Sequence, residues 1–133
     1  PHEGEAAKLL GCRREDISSD RLATAKEIAE RYGATVVLKS ERTIVVSADG
    51  SRVYENMAGN PFMALGGMGD LLAGAIGARW AYLKGDSFIA ASSAVWLHSA
   101  ASDEIVAAYK DPSIVETARQ IGSLRVRIEG VNR

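Results

Sequence analysis

Gly59-Asn60-Pro61-Phe62-Met63-Ala64-Leu65-Gly66-Gly67-Met68-Gly69-Asp70-Leu71-Leu72-Ala73-Gly74 is the stretch on which the reading of this chain turns. Its first half is rich in glycine and interrupted by proline, so it reads as a loop. From about Gly69 the pattern becomes helical, and the helix is expected to run to Leu83. A glycine-rich loop ending where a helix begins leaves the first helical amides free and turns the positive end of the dipole outward. Such a corner is an anion site, suited to phosphate. Asp70 stands in the first turn. A carboxylate there can simply stabilise the dipole. It can also act as general base on a hydroxyl while glycine amides hold a phosphoryl group in transfer. The residues alone leave both readings open. The spacing is neither that of a Walker loop nor that of a strand-to-helix dinucleotide fingerprint.

Beyond Asp70 the helix has two unlike stripes. Ala73, Gly74, Gly77, Ala78 and Ala81 are small and suited to close approach of another backbone, whereas Leu72, Ile76, Trp80 and Leu83 are bulky. Upstream, Val36-Val37-Leu38 is apolar without alternation, as in a strand covered on both faces of a parallel sheet. Lys39 then lies at the carboxyl end of that strand, where open α/β sheets hold their ligands. Two more strands, Thr43 to Ser47 and Ser51 to Glu55, flank Asp49-Gly50, which reads as a two-residue hairpin turn.

The outer segments read mostly as helices. Pro1 to Glu5 leads into Ala6 to Leu10 as a short one closed by Gly11, and a second, with Leu22, Ala25, Ala29 and Tyr32 on its stripe, ends at Gly33. Arg13 to Asp16 reads as a solvated loop. Downstream, Asp86 or Ser87 caps a helix expected to reach about Tyr109, apolar nearly all round and therefore buried. A last helix is expected over 113–121, followed by an edge strand from Leu124 to Ile128 with Arg125 and Arg127 facing water. Trp80 and Trp96 read as packing residues, and His98 as a core histidine bonded to a nearby carbonyl. The order of elements is that of an α/β fold in a single domain, 1–133.

Composition narrows the function. The chain of 133 residues has 16 Lys and Arg against 17 Asp and Glu, a net charge of −1, which argues against nucleic acid as a partner. Apolar residues at 47% and charged residues at 25% are those of a folded soluble protein. The single Cys12 excludes an internal disulfide or a multi-cysteine metal site. With no apolar run long enough to span a bilayer and no visible signal peptide, the expectation is a cytoplasmic protein without a membrane partner.

Four segments together resemble the NAD(P)H-hydrate dehydratases that depend on ADP or ATP, members of the ribokinase-like superfamily. Pro1-His2-Glu3-Gly4-Glu5 is similar to their Pro-His-x-Gly-Glu motif, and Val37-Leu38-Lys39 with Thr43 to their Leu-Lys-Gly-x-x-Thr segment. Asn60-Pro61-x-Met63-Ala64 with Gly66-Gly67-Met68-Gly69-Asp70 resembles the family signature, and Val95-Trp96-Leu97-His98 its Val-Tyr-Leu-His helix. The resemblance implies a three-layer α/β/α fold, here its carboxy-terminal half, with a mostly parallel sheet plus a β-hairpin. It implies removal of water from hydrated NADH or NADPH: the nucleotide phosphorylates the ring hydroxyl, and phosphate then leaves. Asp70 would be the base and touch the substrate, as would His2. Lys39, Ser40, Glu41, Arg42 and Thr43 would line the nucleotide, with Asn60, Gly66, Gly67, Met68 and Gly69 around its phosphates. The implied cofactors are ADP or ATP with Mg2+, although no carboxylate cluster marks metal ligands. The implied partners are a second copy or the amino-terminal half of the domain, since family domains are about twice as long. Ser40, Phe62 and Met68 depart from the family's Gly, Gly and Thr or Ser, which points to altered nucleotide affinity, with Phe62 adding bulk beside the loop. Two other readings use the same residues: a small-molecule kinase of the superfamily, and a non-catalytic nucleotide-binding piece.

Overall fold

A computed structural model describes residues 1–108 and 110–130, so the expected helix end at Tyr109 lies outside the described residues. Three short strands form its centre: β1 (Val36–Leu38), β2 (Ile44–Val46) and β3 (Val53–Glu55). They make an antiparallel sheet in the order β1-β2-β3, with Val37 opposite Val45 and Val45 opposite Tyr54. Successive side chains leave a strand on opposite faces. Val36, Leu38, Ile44 and Val46 therefore share one face, packed with α1 (Glu3–Leu10), α2 (Arg14–Ser19) and α3 (Arg21–Tyr32). Val37, Val45 and Tyr54 share the other, packed with α4 (Met68–Leu83) and α5 (Ser87–Ala107). The result is three layers, helices on both sides of a sheet, as an α/β fold requires. A sixth helix, α6 (Ile114–Glu129), lies against α5 through Leu124, Leu97 and Ala101.

Local chemistry sets the helix ends. Gly11 and Gly33 close α1 and α3 in the left-handed conformation at φ of 71° and 59°. Asp20, Asp86 and Ser113 cap α3, α5 and α6 by accepting from Ala23, Ile89 and Glu116 amides.

Several expectations are corrected. β1 is covered on both faces, but its sheet partner β2 is antiparallel, because the connection through Ser40–Thr43 is far too short for a parallel crossover. The described sheet is thus antiparallel, and the one parallel pairing is a bridge between His2 and Lys39. The hairpin tip is longer than two residues: Ser47 pairs with Arg52, the Gly50 amide donates to the Ser47 carbonyl at 2.8 Å, and Gly50 follows at φ 70°. No strand forms at Leu124–Ile128, where α6 continues to Glu129. Alternation and helical spacing coincide there, and Leu124 falls on the stripe with Thr117 and Ile121 that faces α5. Arg127 and Arg125 are ion-paired with Glu104 and Glu129. Arg13–Asp16 is not a loop, since Arg14 starts α2 and Asp16 returns to the Arg13 amide at 3.1 Å. The buried stripe of α3 is Thr24, Ala25, Ile28 and Ala29, leaving Leu22 and Tyr32 outside. Trp80 and Trp96 are also exposed rather than packed. Among the described residues, no helix is long and apolar enough to cross a membrane.

Candidate functional site

The start of α1, the end of β1, the loop from Asn56 to Gly67 and the start of α4 border one open cavity of about 810 Å3. Its wall includes His2, Lys39, Ser40, Glu41, Thr43, Asn60, Met68 and Gly69 from the sequence reading. Arg42, Gly66, Gly67 and Asp70 are close in sequence but do not line it.

His2 is the N-cap of α1. Its Nδ1 accepts from the Gly4 and Glu5 amides at 3.0 and 3.2 Å, while its own amide donates to Glu5 Oε2 at 2.7 Å. This is a capping box with histidine in place of serine or threonine. For Nδ1 to accept, the ring proton must sit on Nε2, which lies 3.6 Å from Glu5 Oε1. A Cβ at Gly4 would lie 3.1 Å from His2 Cε1, so glycine makes room for the ring. The Pro-His-x-Gly-Glu motif thus has a local account: cap, space and return bond.

Lys39 ties this corner together. Its amide donates to the Pro1 carbonyl at 2.8 Å, and its Nζ lies 3.7 Å from Glu5 Oε2. A Cβ at Gly69 would sit 3.3 Å from that same Nζ. The ammonium therefore lies against the first turn of α4. Glu5's carboxyl is held below its ordinary range, chiefly by the His2 amide and further by the Lys39 charge. After Lys39 the chain turns tightly: Thr43 Oγ1 donates to the Ser40 carbonyl at 3.0 Å, and the Arg42 amide donates to Ser40 Oγ at 3.0 Å. Arg42 itself turns away to Glu55 at 3.0 Å.

α4 begins without a side-chain cap, at Gly67 with φ 93°. The Met68 and Leu71 amides find the Leu65 and Gly67 carbonyls, but those of Gly69 and Asp70 have no acceptor among the described residues. A Cβ at Gly67 would come within 2.6 Å of Ile114 Cδ1, a side-chain tip that can shift, so it is the positive φ that calls for glycine there. Two open amides, a helix dipole and an ammonium converge, an arrangement that fits a phosphate. Asp70 is exposed on the same turn, with no side-chain hydrogen bond or ion pair among the described residues. Met68 is buried beneath the loop and Phe62 points outward, away from the cavity wall, so Phe62 does not crowd it.

The opposite end of the cavity is fastened by polar side chains that local patterns did not reveal. Asp103 of α5 accepts from the Gly59 amide at 2.8 Å and from Asn60 Nδ2 at 2.7 Å. Asn60 also caps the short 3-10 turn Pro61–Met63 by accepting from the Phe62 amide. Asn56 is buried, accepts from Tyr54 Oη at 3.0 Å, and donates to the Ala58 carbonyl and Ser99 Oγ at 2.8 and 3.0 Å. His98 is 5% exposed on the cavity wall, and burial lowers its pKa, favouring the neutral ring. The expected bond to a carbonyl is absent: its Nε2 is buried with no partner among the described residues. Among those residues no cluster of three or more His, Cys, Asp and Glu could hold a metal ion.

A sheet between helical layers, with an uncapped helix start near the carboxyl end of β1, is the arrangement of a ribokinase-like α/β protein. A ribokinase-like superfamily protein of Enterococcus faecalis matches 96% of this chain and 43% of its own, with a TM-score of 0.78 and 30% identity. The family model described as NAD(P)H-hydrate dehydratase matches residues 1–121, and the chain belongs to that family. It is 48% identical over 103 residues to the bifunctional NAD(P)H-hydrate repair enzyme of Vibrio cholerae, covering 77% of this chain and 20% of that one. It is 44% identical over 105 residues to the ADP-dependent (S)-NAD(P)H-hydrate dehydratase of Neisseria meningitidis, covering 79% of this chain and 35% of that one. The ADP/ATP-dependent NAD(P)H-hydrate dehydratase of Bacillus subtilis, co-crystallised with ATP and Mg2+, matches with a TM-score of 0.87 and 28% identity. That alignment covers 96% of this chain and 46% of the Bacillus chain. The chain thus spans about half the length of its solved relatives and less of the curated ones.

Proposed function

We propose that this chain carries the nucleotide side of an NAD(P)H-hydrate dehydratase that uses ADP or ATP. One observation carries the reading: the Lys39 ammonium and the open amide of Gly69 meet at the cavity wall, with the open amide of Asp70 next to it in the same helical turn. Fixed donors of this kind stabilise charge that develops on a transferring phosphoryl group. The nucleotide runs along the wall from Lys39 to Thr43, with its terminal phosphate at Gly69 and the hydrated nicotinamide ring on the side of His2 and Asp70. Asp70 removes the proton of the ring hydroxyl as its oxygen attacks phosphorus, and the bond to the departing ADP or AMP breaks. The ring C–O bond then breaks, phosphate leaves with the electron pair, and loss of a proton from the adjacent carbon restores the double bond. No carboxylate cluster among the described residues would hold a divalent cation, so one would come bound to the nucleotide and would offset phosphate charge there.

The departures tune binding. Ser40 Oγ accepts from the Arg42 amide, and Met68 brings no hydroxyl, its own amide being taken by the Leu65 carbonyl. Asp70 stands exposed beside the cavity, so the substrate side is completed by further polypeptide, a second copy or the other half of the domain. A cytoplasmic location is part of the proposal, in keeping with one unpaired cysteine.

The test is recovery of NADH absorbance from hydrated NADH with ADP or ATP and magnesium. Asp70→Ala is expected to lower turnover by about 10^2–10^4-fold, the usual contribution of a positioned proton acceptor, with nucleotide binding by calorimetry retained. Recovery equal to the unsubstituted protein would remove Asp70 from the mechanism. A stable phosphoester product would instead identify a kinase.

A further inference from the structure

Among the charged residues of α3, Arg21 is the one that the fold takes in. Lys26, Glu27, Glu30 and Arg31 are exposed, as on the outer face of an amphipathic helix. The Arg21 side chain is only 19% exposed, and its Nε is buried. Helix chemistry does not call for it. Arg21 is the first residue of α3, after the Asp20 cap, and a positive charge there opposes the helix dipole. Its partners lie outside the helix. Nη1 donates to the Arg42 carbonyl at 3.0 Å and Nη2 to the Leu38 carbonyl at 3.3 Å. Nε lies 3.4 Å from Glu3 Oε1 of α1, an ion pair in which each side chain is about one-fifth exposed.

The two carbonyls are well chosen. Leu38 ends β1, and Arg42 stands two residues before β2, so they bracket the turn from Lys39 to Arg42. Lys39, Ser40, Glu41 and Thr43 of this segment line the cavity, whereas Arg21 does not. Inside the turn the bonds are local: Ser40 with Thr43 Oγ1, and the Arg42 amide with Ser40 Oγ. Arg21 joins both ends of the turn to one helix. A guanidinium presents its donors as a rigid planar fork and so fixes two acceptors relative to each other, which a lysine ammonium on its flexible stem does not. Glu3 aims the fork. It is anchored in turn, since its Oε2 accepts from Ser18 Oγ at 3.2 Å and lies 3.5 Å from Arg14 Nε.

We infer that Arg21 is a positioning residue for nucleotide binding: from behind the cavity wall it holds the turn Lys39 to Arg42 in the shape that presents Lys39, Ser40 and Thr43 to the ligand. It acts through the two carbonyls and touches no part of the nucleotide. The inference rests on the proposed function for the identity of the ligand, and on the Arg21 contacts alone for the role.

The test compares the 133-residue chain with Arg21→Lys and Arg21→Met. The readouts are calorimetric binding of ADP and ATP at a temperature where all three are folded, thermal unfolding, and hydrogen exchange of the Ser40 and Arg42 amides. Arg21→Lys keeps the charge opposite Glu3 and loses the fork. It should keep a Tm close to that of the unsubstituted chain, yet bind ADP about 5–10-fold more weakly, the worth of about one hydrogen bond. Exchange of the two turn amides should rise in step. Arg21→Met loses charge and fork together, so its Tm should fall as well, with ADP weakened at least as much. A residue that only supports the fold would give the opposite result in Arg21→Lys, with full affinity once folded. Unchanged ADP affinity in Arg21→Lys therefore overturns the inference, even if the turn exchanges faster. Restored affinity in Arg21→Lys after loss in Arg21→Met overturns it too, because charge and not the fork would then matter. Failure of the unsubstituted chain to bind ADP or ATP would instead overturn the nucleotide reading itself, a result visible before any substitution is made.

Discussion

The two ends of the cavity are built on opposite principles. At the far end almost every polar group is spoken for: Asp103 holds the Gly59 amide and Asn60, while Asn56 bonds Tyr54, Ala58 and Ser99. At the near end, donors are left over: among the described residues the Gly69 and Asp70 amides lack acceptors, and the Lys39 ammonium meets Glu5 at 3.7 Å. Polar groups paired in this way hold a loop in shape, whereas convergent free donors suit an anion. The first end holds the loop in shape, and under the proposed function the second takes the phosphate.

Removing charge at the near end should have the largest effect. Lys39→Met is expected to weaken ADP binding by about 10–150-fold, from loss of a charged hydrogen bond of about 1.5–3 kcal/mol. Its effect on folding should be small, because the exposed pair with Glu5 contributes little. Calorimetry and thermal unfolding side by side would check this. Equal losses in both would break the contrast between the ends.

At the far end the order should reverse. Asp103→Ala removes the acceptor of the exposed Gly59 amide and one of two acceptors of Asn60 Nδ2, and should cost about 0.5–1.5 kcal/mol of stability. Asp103→Asn keeps one acceptor oxygen and should recover part of it. Denaturant titration measures the stability term, and nucleotide binding should weaken only as far as the loop loosens. An Asp103→Ala protein of full stability would show that the loop is held by something other than these bonds.

These differences also explain what could be read in the sequence. Signals carried within a few residues were legible: the glycine stops at Gly11 and Gly33, the cap at Asp86, the helix start at the glycine loop, and the grouping of His2 and Lys39 through their motifs. Contacts spanning long separations were not. Asp103 meets Asn60 from 43 residues away, and no local pattern marks either as a clamp. Strand direction was hidden because burial on both faces leaves the same apolar run whichever way the partner runs. The end of α6 was misread because Leu124-Arg125-Val126-Arg127-Ile128 satisfies both periods, and only the surface of α5 decides between them. The small stripe of α4 was visible, but helical spacing alone does not say what packs on it.

His2 gives a finer separation, since it serves the scaffold and also lines the near end. His2→Ala removes the cap of α1 and should cost about 1 kcal/mol. His2→Asn restores a capping oxygen without the imidazole. If His2 acts only as a cap, His2→Asn should restore both stability and NADH recovery. If the ring also meets substrate, stability returns while KM for hydrated NADH stays raised.

The smallest expected effect is a pH dependence confined to the near end. Glu5 has its folded pKa lowered, first by the His2 amide and then by charges that include Lys39. A lowered carboxyl pKa contributes stability above the unfolded value of about 4.3, and this is lost as pH falls through the folded value. Acid should therefore open the capping box and release Lys39 from Glu5. Exchange of the Gly4, Glu5 and Ala6 amides should then rise before that of residues 56–60. In Glu5→Gln the side chain no longer titrates, so this early acid step should vanish. If both ends of the cavity loosened together in acid, with or without Glu5, they would form a single cooperative unit and the division of labour between them would fail.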